Sequence, residues 1–264
     1  MLVKKICFVL FMLVLLCGTI LAGLKLKGEQ ETFVMPVVLF LDEQMSSDFM
    51  KADVDGACAN LSSVNLYALN VPSHEACLRK WSDSCLTFSE GEKNKLHAAI
   101  EIVIRTIEDK IADKKLKKQL QALPWQFGKT VHPYYLDGLP HTRGDIVWLT
   151  DKLLSQYDTR RLARLLMHER MHIWQRKHPK HMQQWMEQQG FKPLMKQSDY
   201  SARDVIRFNP DVNDTLYLDA NGKIMIATYR SLTPSGLLDV QYSSDNKGEH
   251  PYETFAYSME TLVD

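Results

Sequence analysis

Charge of one sign is not in excess in this sequence. Lys plus Arg equals Asp plus Glu at 32 each in 264 residues, so nothing global points to a polyanion, and nucleic acid is excluded as the expected partner. Glycine and proline are not enriched, at 12 and 10, and no repeat period is present, which excludes collagen-like, low-complexity and solenoid architectures. Cysteine is scarce. Beyond the N-terminal apolar run only Cys58, Cys77 and Cys85 remain; an odd number cannot all pair, which leaves one disulfide of open pairing in an oxidising compartment, or three reduced thiols. What is present is 45% hydrophobic residues, enough to bury a core and to exclude wholesale disorder.

Long hydrophobic runs are missing with one exception. From Ile6 to Leu24 no charged residue occurs over 19 positions, a length that just spans a hydrocarbon core and exceeds the about 7–15 apolar residues of a cleaved signal peptide. A cut after Ala22 or Gly23 puts Ile20 or Leu21 where a small residue is required. The run therefore reads as a single-pass membrane anchor, and as a signal peptide of a secreted protein if it is cleaved. Lys4, Lys5 and the terminal amine outweigh Lys25 and Lys27, which Glu29 and Glu31 offset, so the positive-inside rule puts the body outside the cytoplasm. Asn60-Leu61-Ser62 and Asn213-Asp214-Thr215 match the glycosylation pattern, which matters only in a eukaryotic secretory pathway.

Three segments follow from this reading: residues 1–24 as anchor or signal, 25–88 as an extension of unknown role, and 89–264 as the functional domain. The extension reads as short strands and loops, because Ser, Asn, Asp and Pro interrupt its apolar positions. Ser89 and Glu92 form a capping box, and Leu96, Ile100, Val103, Ile104, Ile107 and Ile111 recur at helical spacing, which predicts one helix from about Glu90 to about Leu120. Trp125–Val131 and Gly144–Thr150 read as strands, with Pro140, His141, Thr142 and Arg143 in the loop between them. Asp158 caps a helix over Thr159–Lys177, stopped by Pro179, and a shorter helix runs to Gln189. Asn221-Gly222 marks a hairpin turn, and His250-Pro251 opens a terminal helix.

The chemistry is concentrated in His168-Glu169-Arg170-Met171-His172. On a helix, positions i and i+4 lie one above the other, so both imidazoles can reach one metal ion while Glu169 projects beside them as a general base. A catalytic zinc needs three protein ligands and one open position. Glu253, on the first turn of the terminal helix, is the preferred third ligand. His178 competes for that role, six residues after His172, but Gln175 stands where a glycine would have to turn the chain back toward the metal.

On HERMH, the strand-like GDIVWLT upstream and HPYETFAY downstream, the sequence resembles the zincin metallopeptidases, and among them the gluzincin branch. The resemblance implies an α+β fold: a zincin-like catalytic domain with a small mixed sheet and an HExxH helix, behind the N-terminal membrane segment. It implies a zinc-dependent hydrolase acting on peptide or protein substrates, with Zn2+ held by His168, His172 and Glu253 and with Glu169 catalytic. It also implies that GDIVWLT is the edge strand that pairs with an extended substrate. Tyr257 stands where such proteins often carry an Asp that orients a ligand histidine. His141, Arg143, Tyr229, Tyr252 and Tyr257 are the candidate donors to a developing oxyanion. The competing reading is a non-catalytic, zinc-stabilised extracytoplasmic binding module, whose site would be closed by a fourth ligand such as His178 or His250.

Overall fold

Several residues that read as loop formers open helices instead. The computed structural model describes residues 35–243 and 248–264; the apolar run at 6–24 lies outside them. Asp42 caps α1 (Glu43–Ala52), Ser62 caps α2 (Ser63–Ala68) and Ser73 caps α3 (His74–Ser82), each side-chain oxygen accepting from a backbone N–H three residues on. Those N–H groups have no partner within the first helical turn, so the polar residues are start signals. The expectation of strands and loops before residue 88 is thus corrected: among the described residues there, only β1 (Val38–Phe40) and β2 (Cys85–Leu86) are strands.

The capping box of Ser89 and Glu92 forms and begins α4 (Glu90–Lys110). The single helix expected to run on to Leu120 is two. Ile111 turns extended, and Asp113 caps α5 (Lys114–Gln121) by accepting from the N–H groups of Lys115 and Leu116. There follow β3 (Trp125–Thr130), β4 (His141–Arg143), β5 (Ile146–Thr150), α6 (Asp151–Gln156), α7 (Thr159–Lys177) and α8 (Pro179–Gln188). Beyond them lie β6 (Lys192–Lys196), β7 (Thr215–Leu218), β8 (Ile224–Met225), β9 (Ala227–Tyr229), β10 (Val240–Tyr242) and α9 (Pro251–Glu260).

The main sheet has the order β1-β3-β5-β4, with β2 also paired to β3. β1, β3 and β5 are parallel, whereas β4 runs antiparallel to β5, with Thr142 opposite Val147. This corrects the role implied for GDIVWLT. β5 is enclosed between β3 and β4, and the edge on that side is the short His141–Arg143 segment, which lacks the apolar alternation that marks a strand in sequence. Trp148 of β5 covers Gly128 of β3, where a Cβ would stand 2.3 Å from the indole. Trp148 and Leu149 belong to the core, and Trp174 is buried with its ring stacked on Phe255. The Asn221-Gly222 turn forms, with Gly222 at φ +77° and Tyr217 opposite Met225.

Residues 36–88 share one compact unit with all that follows, through Asp264. Their two strands lie in the main sheet, and Met50, Cys58, Cys77 and Trp81 form one core with Tyr135, Trp148 and Tyr229. Arg143 fastens them further: its wholly buried guanidinium pairs with Asp53 at 2.9 Å and with Asp55, and also donates to the Tyr135 hydroxyl at 3.2 Å. The three cysteines are free and buried. Among the described residues no helix is long and apolar enough to cross a membrane.

Candidate functional site

α7 is buried from Leu166 through Gln175 because it packs between α4 and α9. That placement puts the middle of the helix, where the two histidines stand, at the floor of a cleft. α9 approaches with Pro251 at its first position and His250 as its cap, accepting from Tyr252 N. Its first turn therefore presents Glu253 directly to α7.

His168, His172 and Glu253 converge, each offering one donor atom within 4.8 Å of the others. Nε2 of His168 and Nε2 of His172 are 3.0 Å apart. Glu253 Oε2 stands 3.2 Å from the first and 3.7 Å from the second. A tetrahedral ion with ligand distances of about 2.0–2.1 Å separates its ligands by about 3.4 Å, so the three spacings bracket what such an ion requires.

The outer partners fix the rings. His172 Nδ1 donates to Gln175 Oε1 at 3.0 Å, and Gln175 Nε2 donates in turn to the Tyr252 carbonyl at 2.9 Å. Nδ1 of His168 lies 3.2 Å from Glu260 Oε2. With the His172 proton drawn to Nδ1 and the Glu260 carboxylate beside Nδ1 of His168, the two Nε2 atoms and a carboxylate oxygen gather at one spot, an arrangement that suits a cation. Against the cost of burial, contacts with Glu253 and Glu260 raise His168 to about 10, so without a metal a proton fills that need. Burial, helped by the charges of His168 and Arg176, pushes His172 down against the pull of Asp211 and Glu253. Although burial opposes it, Glu253 is held below the usual carboxylate range by the imidazoles of His172 and His168. Its other oxygen accepts from Asn209 Nδ2 at 2.7 Å.

Glu169 is 2% exposed and its Oε2 has no hydrogen-bond partner. Burial, with Asp211 nearby, raises it well above the ordinary range. A cavity of about 290 Å³ opens in front, lined by His141, His168, Glu169, Asp211, Glu253 and Tyr257 among others. Five carboxylates line it against the one guanidinium of Arg207, a local excess that suits a divalent cation.

The competing ligands fall elsewhere. α7 continues unbroken through Gln175, so His178 caps its end, against Trp174 and His181. His250 uses both ring nitrogens, with Asn213 Oδ1 at 3.2 Å and Tyr252 N at 3.1 Å. Of the oxyanion candidates, Arg143 is committed to Asp53 and Asp55, Tyr229 to Asn65, and Tyr252 to Asn213. His141 and Tyr257 do line the cavity. Burial pushes His141 down to about 4, and its Nδ1 engages the Leu139 carbonyl at 2.9 Å. Its Nε2 is then a lone pair and an acceptor.

Gln175, Asn209, Asp211 and Glu260 escaped the sequence reading. Gln175 looked only like a missing glycine, yet it holds the ring of His172. Glu260 had a legible signal: it lies seven residues, two turns, after Glu253 on the same helix face. Tyr257, one turn nearer, instead packs its ring edge-on against His168, with centroids 4.6 Å apart. No family model, no curated protein and no solved structure matches the chain.

Proposed function

We propose that this protein is a zinc-dependent metallopeptidase, anchored in a membrane through residues 6–24, with its body on the extracytoplasmic side. One observation carries the reading: the donor atoms of His168, His172 and Glu253 converge within 4.8 Å, with the unpartnered carboxylate of Glu169 beside them at the floor of an open cleft.

When bound there, zinc supplies Lewis-acid polarisation of the scissile carbonyl and acidifies water to near neutrality. The chain's own groups do the rest. Gln175 and Glu260 hold the imidazoles of His172 and His168, so each presents Nε2 inward. Glu169, held out of water and uncommitted at Oε2, takes the proton of the attacking water and passes it to the leaving nitrogen. Tyr257 is the donor to the developing oxyanion. Burial, with the charges of Glu253 and Glu260, raises its hydroxyl and keeps it protonated, whereas His141 presents a lone pair.

The test uses the full chain in detergent, with a mixed peptide library and zinc. Wild type is expected to cleave in a zinc-dependent way. Glu169→Gln is expected to keep one zinc per chain and lose cleavage by about 10²–10⁴-fold. Equal rates for the two proteins would remove Glu169 from the mechanism.

A further inference from the structure

Lys114, Lys115, Lys117 and Lys118 fill four of five successive positions, on a helix, α5, that carries no acidic residue. Lys117 folds back to Glu108, 3.8 Å from its carboxylate. Lys114, Lys115 and Lys118 are exposed, and among the described residues none of the three has an ion-pair partner. Spaced i, i+1 and i+4, they share one side of the helix. The first turn of α8 extends this face. Gln119 of α5 accepts from Trp174 Nε1 at 3.1 Å and meets Nδ1 of His181 at 3.4 Å, and the neighbouring Lys180 is exposed. Burial, with the charges of His181, Lys177 and Lys115, pushes His178 down, as a gathering of cations does. Three acids nearby are already committed: Asp113 caps α5, Glu108 holds Lys117, and Asp145 holds Lys177 at 2.7 Å. In a chain of zero net charge, the excess on this face is a local segregation of charge.

The same corner is where the chain enters the body. β1 runs parallel to β3, with Val38 opposite Trp125, and only Ala122, Leu123 and Pro124 separate Trp125 from α5. Arg170 clamps the junction, its guanidinium 3.9 Å from the Trp125 ring centroid and donating to the Leu123 carbonyl at 3.0 Å. Val37, just before β1, is 81% exposed. Upstream, residues 25–34 amount to at most about 35 Å of chain, and they follow the apolar run at 6–24. With that run in a bilayer, the tether keeps the lysine face within reach of the headgroups.

We propose that the lysine face of α5, with Lys180, docks the body on anionic lipid headgroups of the membrane that holds residues 6–24. The proposal rests on the anchor reading given above. Charge complementarity selects the occupant: near an anionic bilayer each lysine strengthens attachment about fivefold. Docking then fixes the height of the cleft above the bilayer, where the tether alone would leave it anywhere within its reach.

The test places the full-length protein in lipid nanodiscs of phosphatidylcholine, alone or with about a third of phosphatidylglycerol. Lysines are acetylated with a neutral reagent, and each is followed by mass spectrometry. At low salt Lys115 and Lys118 are expected to react about tenfold more slowly in the anionic discs than in the neutral ones. In about 0.5 M salt the difference is expected to vanish, because screening shortens to a few Å. Lys152 is the reference, exposed just beyond the far end of β5, and is expected to react alike in both. Equal rates for Lys115 and Lys118 in the two discs overturn the proposal, as does a slowing that Lys152 shares. In Lys115→Glu/Lys118→Glu, whose changes lie on the surface, Lys180 is expected to lose its protection, and protection retained there also overturns it.

The anchor reading fails separately. A chain that elutes apart from the discs removes the anchor and this docking with it, whereas a chain held in the discs with equal rates keeps the anchor and removes the docking alone. The metallopeptidase reading is scored apart from both, by cleavage of a short soluble peptide.

Discussion

The Nε2 atoms of His168 and His172 stand 3.0 Å apart, and each ring is held from its Nδ1 side by a different partner, Glu260 for one and Gln175 for the other. Two basic nitrogens turned toward each other in a buried place are unfavourable without a cation between them. Metal binding is therefore expected to stabilise the fold. At about a hundred times its dissociation constant, zinc contributes about 2.7 kcal/mol, which for a body of this size raises Tm by roughly 5–10 °C. Thermal unfolding with and without zinc measures this, and His172→Ala is expected to show no zinc-dependent shift. A shift of wild-type size in that variant would move the metal elsewhere.

Glu260 acts through His168. Glu260→Ala is expected to weaken zinc binding by about 10–100-fold while leaving the secondary structure intact, since Glu260 is the last residue of α9. Competition against a fluorescent zinc chelator reads this directly. Affinity equal to wild type would show that the 3.2 Å contact does not orient the ring.

Arg143 fastens the N-terminal helices to the edge strand. Arg143→Met leaves Asp53 and Asp55 without their buried partner, and breaking such a pair from one side costs about 3–5 kcal/mol. Urea unfolding is the measurement. A loss below about 1 kcal/mol would mean that the two aspartates are solvated well enough to do without it.

His141 makes the fold acid-sensitive. Its folded value, about 4, lies below the ordinary value of 6.5 because of burial. Above pH 6.5 both states are neutral and it contributes nothing to the pH dependence. Between pH 6.5 and 4 the unfolded chain binds the extra proton, so stability falls as pH falls, by up to about 3 kcal/mol in total. His141→Gln is expected to flatten that part of the urea-unfolding profile. Parallel profiles for variant and wild type would place the acid sensitivity in other groups.

Cys58, Cys77 and Cys85 are expected to be silent until the chain unfolds. All three are buried, and burial raises every one, with Cys85 pushed up to about 12. Thiolate is the reactive form, so a thiol reagent at pH 8 should leave Cys58, Cys77 and Cys85 unlabelled in native protein and label them in urea. Fast labelling of a native thiol would contradict the packing of α1 to α3.

Local rules made much of this molecule legible in one dimension. Asp158 and Pro179 bound α7, the i,i+4 spacing aligned His168 with His172, Asn221-Gly222 fixed a turn, and Pro251 started α9, because caps, helical period and positive φ act within a few residues. Where residues serve partners far along the chain, the same reading stops. Ser62 and Ser73 look like loop formers until a helix is seen to follow them. β4 is a strand only because β5 lies beside it. Glu260 and Gln175 become ring holders only when α9 packs on α7. Asp211 comes to the side of Glu169 from 39 positions beyond His172, held by a bond to Thr142 that no spacing encodes. The sequence by itself determined which side chains could perform the chemistry. Tertiary packing, which removes water and chooses neighbours, decided which of them meet and which are held away.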